Sequence, residues 1–203
     1  MSLRPEISGF RLDVLNAVLG RGDDSQLPAL VAELDAFTAL DDPARRDRVV
    51  AILRRAVQDP PRWAAPERWA DVEAEGDDHV LAAQVLARHG QEHLETGSNV
   101  WNMTAFWTFI EERFASLPKP GRKYLAMFGA GRGLFARKVD AGWGYYGYLA
   151  LPELQQLLAS LREYRAAVSA EEASDPGSRF ADELVGWLGA IESAGLDLWF
   201  SCE

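Results

Sequence analysis

Trp143-Gly-Tyr-Tyr-Gly-Tyr-Leu149 decides the fold of this 203-residue chain, because it leads directly into Leu151–Tyr164. Three tyrosines, a tryptophan and two glycines in seven positions disfavour a helix and favour a strand. The apolar spacing of Leu151–Tyr164 then predicts a helix. The stretch therefore indicates a strand that enters a helix. Its glycines leave room for another backbone or a ligand, and its tyrosines offer flat faces with hydroxyl tips.

The rest of the C-terminal half follows the same logic. A helix is predicted over Phe180–Ala194, and Leu196–Cys202 alternates so that its odd and even positions face opposite ways. This closing segment is predicted to be a strand with at least one buried face. Glycine-bounded apolar runs predict two more short strands, Tyr124–Phe128 and Gly133–Val139.

The N-terminal half is dominated by helical spacing, including predicted helices over Asp78–Leu94 and Met103–Leu117, after a strand-like Ile7-Ser-Gly-Phe10. We expect one domain over residues 1–203, helix-rich in 1–117 and strand-containing in 122–203. The predicted class is α+β: a helical N-terminal half packed with a small mixed or antiparallel sheet, formed mainly by the C-terminal half.

Charge limits the range of partners. The chain has 31 acidic and 21 basic side chains, a formal net charge of −10. That field repels phosphate backbones and anionic lipid, so we expect no nucleic-acid partner and no membrane partner. Simple solubility explains the charge, and a basic protein partner would also suit it. Without an apolar run of about 20 residues or a secretory signal, and with Cys202 as the single cysteine, a cytoplasmic location is expected.

The segment Phe128-Gly-Ala-Gly-Arg-Gly-Leu-Phe135 contains a G-x-G-x-G motif. It resembles the first motif of S-adenosylmethionine-dependent methyltransferases, which implies cofactor contacts at Gly129, Gly131 and Gly133. That family has an acidic residue two positions before the first glycine, where this chain has Met127. A glycine-rich hairpin turn is the favoured interpretation, and we expect no cofactor.

A second motif, His89-Gly-Gln-Glu-His93, fits the H-x-x-E-H pattern of the inverted zincins. On one helix, His89 and His93 would share a face and hold zinc while Glu92 activates water. Glu171 and Glu172 are the nominal third ligands. Gly90 weakens a helix at the motif, so histidines at a helix end or on the surface are the favoured interpretation.

Aromatic residues supply the remaining candidates. A ligand pocket is predicted at the residues Trp143, Tyr145, Tyr146, Tyr148, Asp197 and Trp199. The same aromatic residues would serve equally well in a packed core. Asp197 would act as an acid or base if it faced a cleft, and it is otherwise a solvent-facing carboxylate. No catalytic residue set accompanies them.

The order of elements in the C-terminal half carries a resemblance. The glycine-rich segment, the junction Tyr148-Leu-Ala-Leu-Pro-Glu-Leu154, two helices and a closing apolar strand resemble the uncharacterised bacterial YfbM-like families. Phe10-Arg-Leu-Asp-Val-Leu15 also looks like the start of related proteins of unknown function. The resemblance implies a mixed α+β fold, and it carries over no catalytic residue.

Two hypotheses of function remain. The first is a non-enzymatic binding protein that neutralises a basic partner such as a toxin, motivated by the charge and the abundant tryptophan. The alternative is a small-molecule enzyme with the aromatic pocket. The sequence leaves the ligand and the oligomeric state open.

Overall fold

The computed structural model describes residues 5–19, 22–38, 40–58, 76–90, 99–100, 109, 113–130, 145–168 and 175–202. Seven α-helices lie in these ranges, namely α1 Leu12–Val18, α2 Leu27–Phe37, α3 Pro43–Gln58, α4 Gly76–Gly90, α5 Lys119–Ala130, α6 Leu151–Ala167 and α7 Pro176–Ser193. The strands are β1 Pro5–Phe10, β2 Asn99–Val100, β3 Tyr145–Leu149 and β4 Asp197–Cys202. Among the described helices, none is long and apolar enough to cross a membrane.

The four strands form one antiparallel sheet in the order β2-β1-β4-β3. β4 lies between β1 and β3, with Phe10 opposite Asp197 and Leu149 opposite Leu198. The α+β class is confirmed. The C-terminal half supplies β3 and β4, as expected, and residues 1–117 supply β1 and β2, with β1 in an interior position. Strands from both ends of the chain therefore meet in this sheet.

Helices cover both faces of the sheet. On one face, Phe10, Tyr148 and Trp199 pack with buried residues of α1 to α4. On the other face, Ile7, Leu149 and the leucine and phenylalanine of β4 pack with α5, α6 and α7. Because neighbouring residues of a strand point to opposite faces, β1, β3 and β4 each contribute to both cores. The predicted alternation of β4 is confirmed, and both of its faces are buried.

The predicted strand-to-helix junction is confirmed, since β3 ends at Leu149 and α6 begins at Leu151. The strand predicted over Tyr124–Phe128 is wrong, because this segment lies inside α5. A short apolar run is ambiguous between strand and helix. Here Tyr124 and Leu125 are buried three and four residues after the buried Gly121, which is helical spacing.

Other predictions fall wholly or partly outside the described residues. Gly133–Val139 is outside, as is most of the predicted helix Met103–Leu117, although Phe109 and Arg113 are helical. The helix predicted over Asp78–Leu94 is confirmed as far as Gly90, where the described part ends.

The helices α5 and α6 meet through a glycine. A Cβ placed on Gly121 would overlap the Cβ of Ser160, a contact that real side chains do not tolerate. Ser160 is itself buried, and its hydroxyl donates to the carbonyl oxygen of Gln156 at 2.9 Å. The absence of a side chain at position 121 therefore sets how closely the two helices approach.

A carboxylate defines the start of α7. Asp175 Oδ1 accepts a hydrogen bond from the backbone N–H of Ser178 at 2.7 Å, and Pro176 follows as the first helical residue. The Arg113 guanidinium donates to Asp175 Oδ2 at 3.0 Å. Burial raises the pKa of Asp175, but these hydrogen bonds outweigh burial, and the pKa lies below its usual value.

We predict that Gly121→Ala lowers the free energy of unfolding by about 1–3 kcal/mol, because α5 and α6 must separate to admit the methyl group. The matched control is Gly186→Ala in α7, where an added Cβ meets nothing within 4 Å. That variant should be neutral or more stable by about 0.5–1 kcal/mol. Denaturant unfolding measures both. Equal effects of the two substitutions would contradict the close approach.

We predict that Asp175 contributes stability that is fully present above the unfolded pKa of about 4 and is lost as the pH falls through its lower folded pKa. The sign follows because the unfolded chain binds the proton more readily than the folded chain. In Asp175→Asn this part of the acid destabilisation should disappear. Unfolding curves between about pH 2 and pH 6 test it, with Asp41→Asn as the control for net charge; an unchanged pH profile in Asp175→Asn would refute it.

Candidate functional site

The aromatic candidates that can be placed lie in the core. Tyr148 and Trp199 are 4% and 5% exposed, and they are paired across β3 and β4. Both rings pack edge-on against Phe10, with centroids 6.4 Å and 6.0 Å away. Such edge-to-face contacts add to the stabilisation from burial. The sequence left open whether these side chains line a ligand pocket or pack in the core, and in the structure they pack in the core.

The other aromatic candidates are described less fully or not at all. Tyr145 and Tyr146 belong to β3, where their backbones lie opposite Cys202 and Ser201. Trp143 lies outside the described residues. Whether these three residues line a pocket stays a prediction.

Among the candidate site residues, Asp197 makes two polar contacts that show its role in the structure. Its Oδ2 accepts a hydrogen bond from the backbone N–H of Leu12 at 2.8 Å, and its Oδ1 accepts one from the backbone N–H of Leu151 at 2.7 Å. Leu12 and Leu151 are the first residues of α1 and α6. One carboxylate therefore caps two helices, and its negative charge lies at the positive end of both helix dipoles.

The sheet explains why one residue reaches both helices. β1 and β3 each run antiparallel to β4, so both end beside the residue where β4 begins. Each strand then enters its helix within two residues. At the α6 junction, Glu153 adds a second contact, since its carboxylate accepts from the backbone N–H of Ala150 at 3.1 Å. Asp197 thus has a structural role, whereas the sequence had left it as an acid, a base or a solvent-facing carboxylate.

The zinc motif is described only at its start. His89 is half-buried in the last turn of α4, and Glu92, His93, Glu171 and Glu172 lie outside the described residues. In the part of the chain that the structure describes, no group of three or more potential ligands is placed to hold a metal ion. The carbonyl oxygen of Gly90 accepts from the N–H of Arg11 at 2.7 Å, which ties this end of α4 to the start of α1. The metal site itself stays a prediction.

The methyl-donor motif loses the structural context on which the resemblance depended. Gly129 lies within α5, whereas that motif follows a strand. The same helix contradicts a hairpin turn at Gly129. Gly131 and Gly133 lie outside the described residues, so their contacts stay a prediction.

Many of the carboxylates on the described surface are paired with arginines. Asp35 binds Arg46 at 2.8 Å between two exposed side chains. Similar pairs join helices or loops at Asp13 with Arg11, Asp24 with Arg54, Asp182 with Arg165, and Glu192 with Arg162. Exposed carboxylates without an ion pair to the described residues include Asp41, Asp47, Glu163 and Glu183. These four carboxylates are exposed to an approaching cation.

One buried ionic cluster was not anticipated from the sequence. The side chain of Asp78 is 1% exposed, and it accepts from Arg45 Nε at 3.0 Å and from Arg48 Nε at 2.8 Å. The spacing of the two arginines by three residues places them on one face of α3. Spacing alone does not reveal that α4 brings an aspartate to that face. The cluster joins α3 to α4.

Comparisons with protein-family models, with curated proteins and with solved structures find no match to this chain. The functional argument therefore rests on the charge and the contacts of the chain itself. The resemblance to the YfbM-like families stays a prediction.

We predict that Asp197→Ala lowers the free energy of unfolding by about 2–3 kcal/mol, because two helices lose a cap and two N–H groups lose their acceptor. Asp197→Asn should cost less, since its amide retains one acceptor oxygen. The control is Asp35→Ala, which removes an exposed ion pair and should cost at most about 1 kcal/mol. Thermal or denaturant unfolding distinguishes them, and a loss at Asp197 no larger than at Asp35 would refute the double cap.

Proposed function

We propose that this protein is a non-enzymatic binding protein whose partner is a basic protein, for example a toxin that it neutralises. The observation that carries the proposal is the formal net charge of −10 on a chain of 203 residues. A charge of this size accelerates the approach of oppositely charged proteins and favours their correct orientation.

The described surface supports the proposal at particular residues. Asp41 and Asp47 lie just before and within α3, and Glu183 lies on α7, all of them exposed. None of the three forms an ion pair with a described residue, although Asp47 lies next to Arg46 and interacts with its charge. They are available to the lysines and arginines of a partner, and such rim contacts change the association rate more than the final affinity.

The alternative function, an enzyme with an aromatic pocket, has lost part of its support. Tyr148 and Trp199 are engaged in the core, and Asp197 is engaged by two backbone N–H groups. A residue that caps two helices cannot be released for proton transfer without weakening both. The binding hypothesis requires none of these three residues to be available.

The test begins with the wild-type protein immobilised and exposed to the cytoplasmic extract of its source at low salt. A basic protein should be retained and should be released as salt is raised, because ions screen exposed charges. With that partner purified, the association rate is then measured for wild type and for Asp41→Asn/Asp47→Asn/Glu183→Gln. We predict that the triple variant associates about three- to tenfold more slowly at low salt.

The matched control is Lys119→Gln, which changes an exposed side chain in the opposite direction of charge. It should associate as fast as wild type or faster. Failure to retain any basic protein at low salt, or an association rate that ignores both salt and the triple substitution, would count against the proposal.

A further inference from the structure

The basic residues of this acidic chain are unevenly distributed. Residues 113–139 contain seven basic side chains, including all three lysines, and no acidic side chain. The other 176 residues hold the remaining 14 basic side chains and all 31 acidic ones. A stretch of 27 residues therefore carries a formal charge of +7, whereas the whole chain carries −10. Asymmetry of this kind is typical of a chain with a charged interaction surface.

The helix α5 presents part of this segment as a fixed basic face. Lys119 and Lys123 are exposed and Arg122 is partly exposed. Their spacing of three and four residues places all three on one side of the helix. On the opposite side, Gly121 packs closely on Ser160 of α6. The packing of α5 on α6 therefore directs these three side chains, which form the α5 basic face, toward solvent.

The charges of the α5 basic face are not neutralised within the described residues. None of its three side chains forms an ion pair with a described residue, whereas Arg46, Arg54 and Arg165 are each paired with a carboxylate. The Lys123 ammonium group lies 4.9 Å from the centroid of the Tyr124 ring. This cation–π contact leaves the positive charge of the lysine in place. Among the described residues, the face thus carries three positive charges without a counter-charge.

The position of these three charges does not stabilise the fold. Cations stabilise the C-terminal end of a helix, but the α5 basic face lies in the first two turns, where the helix dipole disfavours positive charge. The three cations also reduce the magnitude of the net charge, so they do not serve solubility. An anionic partner would offset the electrostatic cost of placing them there.

At the α5 basic face, the nearby charges outweigh the net charge of the chain. The Debye length at physiological ionic strength is about 8 Å, so charges farther away are largely screened. An anion in contact with α5 therefore interacts mainly with its three cations. This favours a partner that presents its negative charge in a short segment. A nucleic acid needs a longer basic stripe, because its charge continues along its length and would extend over the acidic remainder of the chain.

The spacing of the α5 basic face matches that of carboxylates in an extended acidic peptide. Lys119 and Lys123 are four residues apart, which is a rise of about 6 Å along the helix. In an extended peptide, side chains on the same side recur every two residues, about 6.6 Å apart. Two alternate carboxylates can therefore pair with the two lysines. The Arg122 guanidinium can bind a further carboxylate through two N–H donors.

We propose that the α5 basic face binds a short acidic segment of another protein, whose glutamate or aspartate side chains pair with Lys119, Arg122 and Lys123. Two copies of this chain repel each other, since each carries a charge of −10, so the segment belongs to a different protein. Binding uses charge and hydrogen bonds, with no covalent step. This surface goes beyond the proposed function, because it takes an acidic partner and does not use the carboxylates assigned to the basic one.

The experiment is an NMR titration of the purified protein at low salt with three probes. They are an octapeptide of glutamate, the matching octapeptide of glutamine, and an oligonucleotide of eight thymidines. The glutamate peptide should shift the backbone amides of α5 and bind with a dissociation constant at or below about 1 mM. The other two probes should bind about tenfold more weakly or worse. Added salt should weaken the binding of the glutamate peptide, because ions screen exposed charges.

Four results would overturn the proposal. The first is no binding of the glutamate peptide up to about 5 mM, and the second is equal binding of the glutamine peptide. The third is an oligonucleotide that binds as tightly as the glutamate peptide or more tightly, since the face would then recognise a phosphate backbone. The fourth is a shift of the α5 amides when the protein alone is diluted, since the face would then bind a second copy.

Variants separate recognition from folding and from net charge. Lys119→Gln should weaken the binding of the glutamate peptide about two- to fivefold, and Lys119→Gln/Lys123→Gln should weaken it further. The melting temperature of Lys119→Gln should not fall, because Lys119 forms no ion pair with a described residue. Arg54→Gln is the control, since it removes the same charge from an exposed side chain of α3, on the other side of the sheet. It should leave peptide binding unchanged, and an equal loss in Arg54→Gln and Lys119→Gln would refute the assignment.

Discussion

The carboxylate of Asp197 is the contact on which the described architecture depends. It accepts backbone N–H groups from the first residues of α1 and α6, and these helices lie on opposite faces of the sheet. Both helix starts would otherwise present unpaired donors at a partly buried junction. The strand, two helices and two cores thus meet at one side chain, and the antiparallel register of β4 brings them there.

Helices cover both faces of the sheet, and this explains why Tyr148 of the aromatic segment Trp143–Leu149 is buried. A sheet with one face in water would leave alternate tyrosines available to a ligand. Here Tyr148 packs with Trp199 and Phe10 under α1 to α4, while Leu149 packs under α5 to α7. Tyr148 and Trp199, two of the candidate pocket residues, therefore stabilise the domain.

Local patterns predicted some elements well and others poorly, for a physical reason. The strand-to-helix junction was predicted correctly, because it depends on residues that are adjacent in the chain: glycines and aromatic residues that favour a strand, followed by Leu151-Pro-Glu153. The structure confirms it as β3 and α6. The strand predicted over Tyr124–Phe128 was wrong because a five-residue apolar run fits the spacing of a strand and of a helix. The segment is helical in the structure, where Gly121 of the same helix packs on Ser160. The interior position of β1 in the sheet could not be predicted from local patterns either, because the strands that pair with it are distant in the sequence.

The sequence by itself determined the α+β class, the alternation of the closing strand and the strongly acidic character, because each depends on residue types or on neighbours along the chain. Only the tertiary structure decided what the candidate residues do. Asp197 contacts residues 185 and 46 positions away in the chain. Strand register and helix packing set such distances. The aspartate that the sequence left between chemistry and solvent is therefore the cap of two helices.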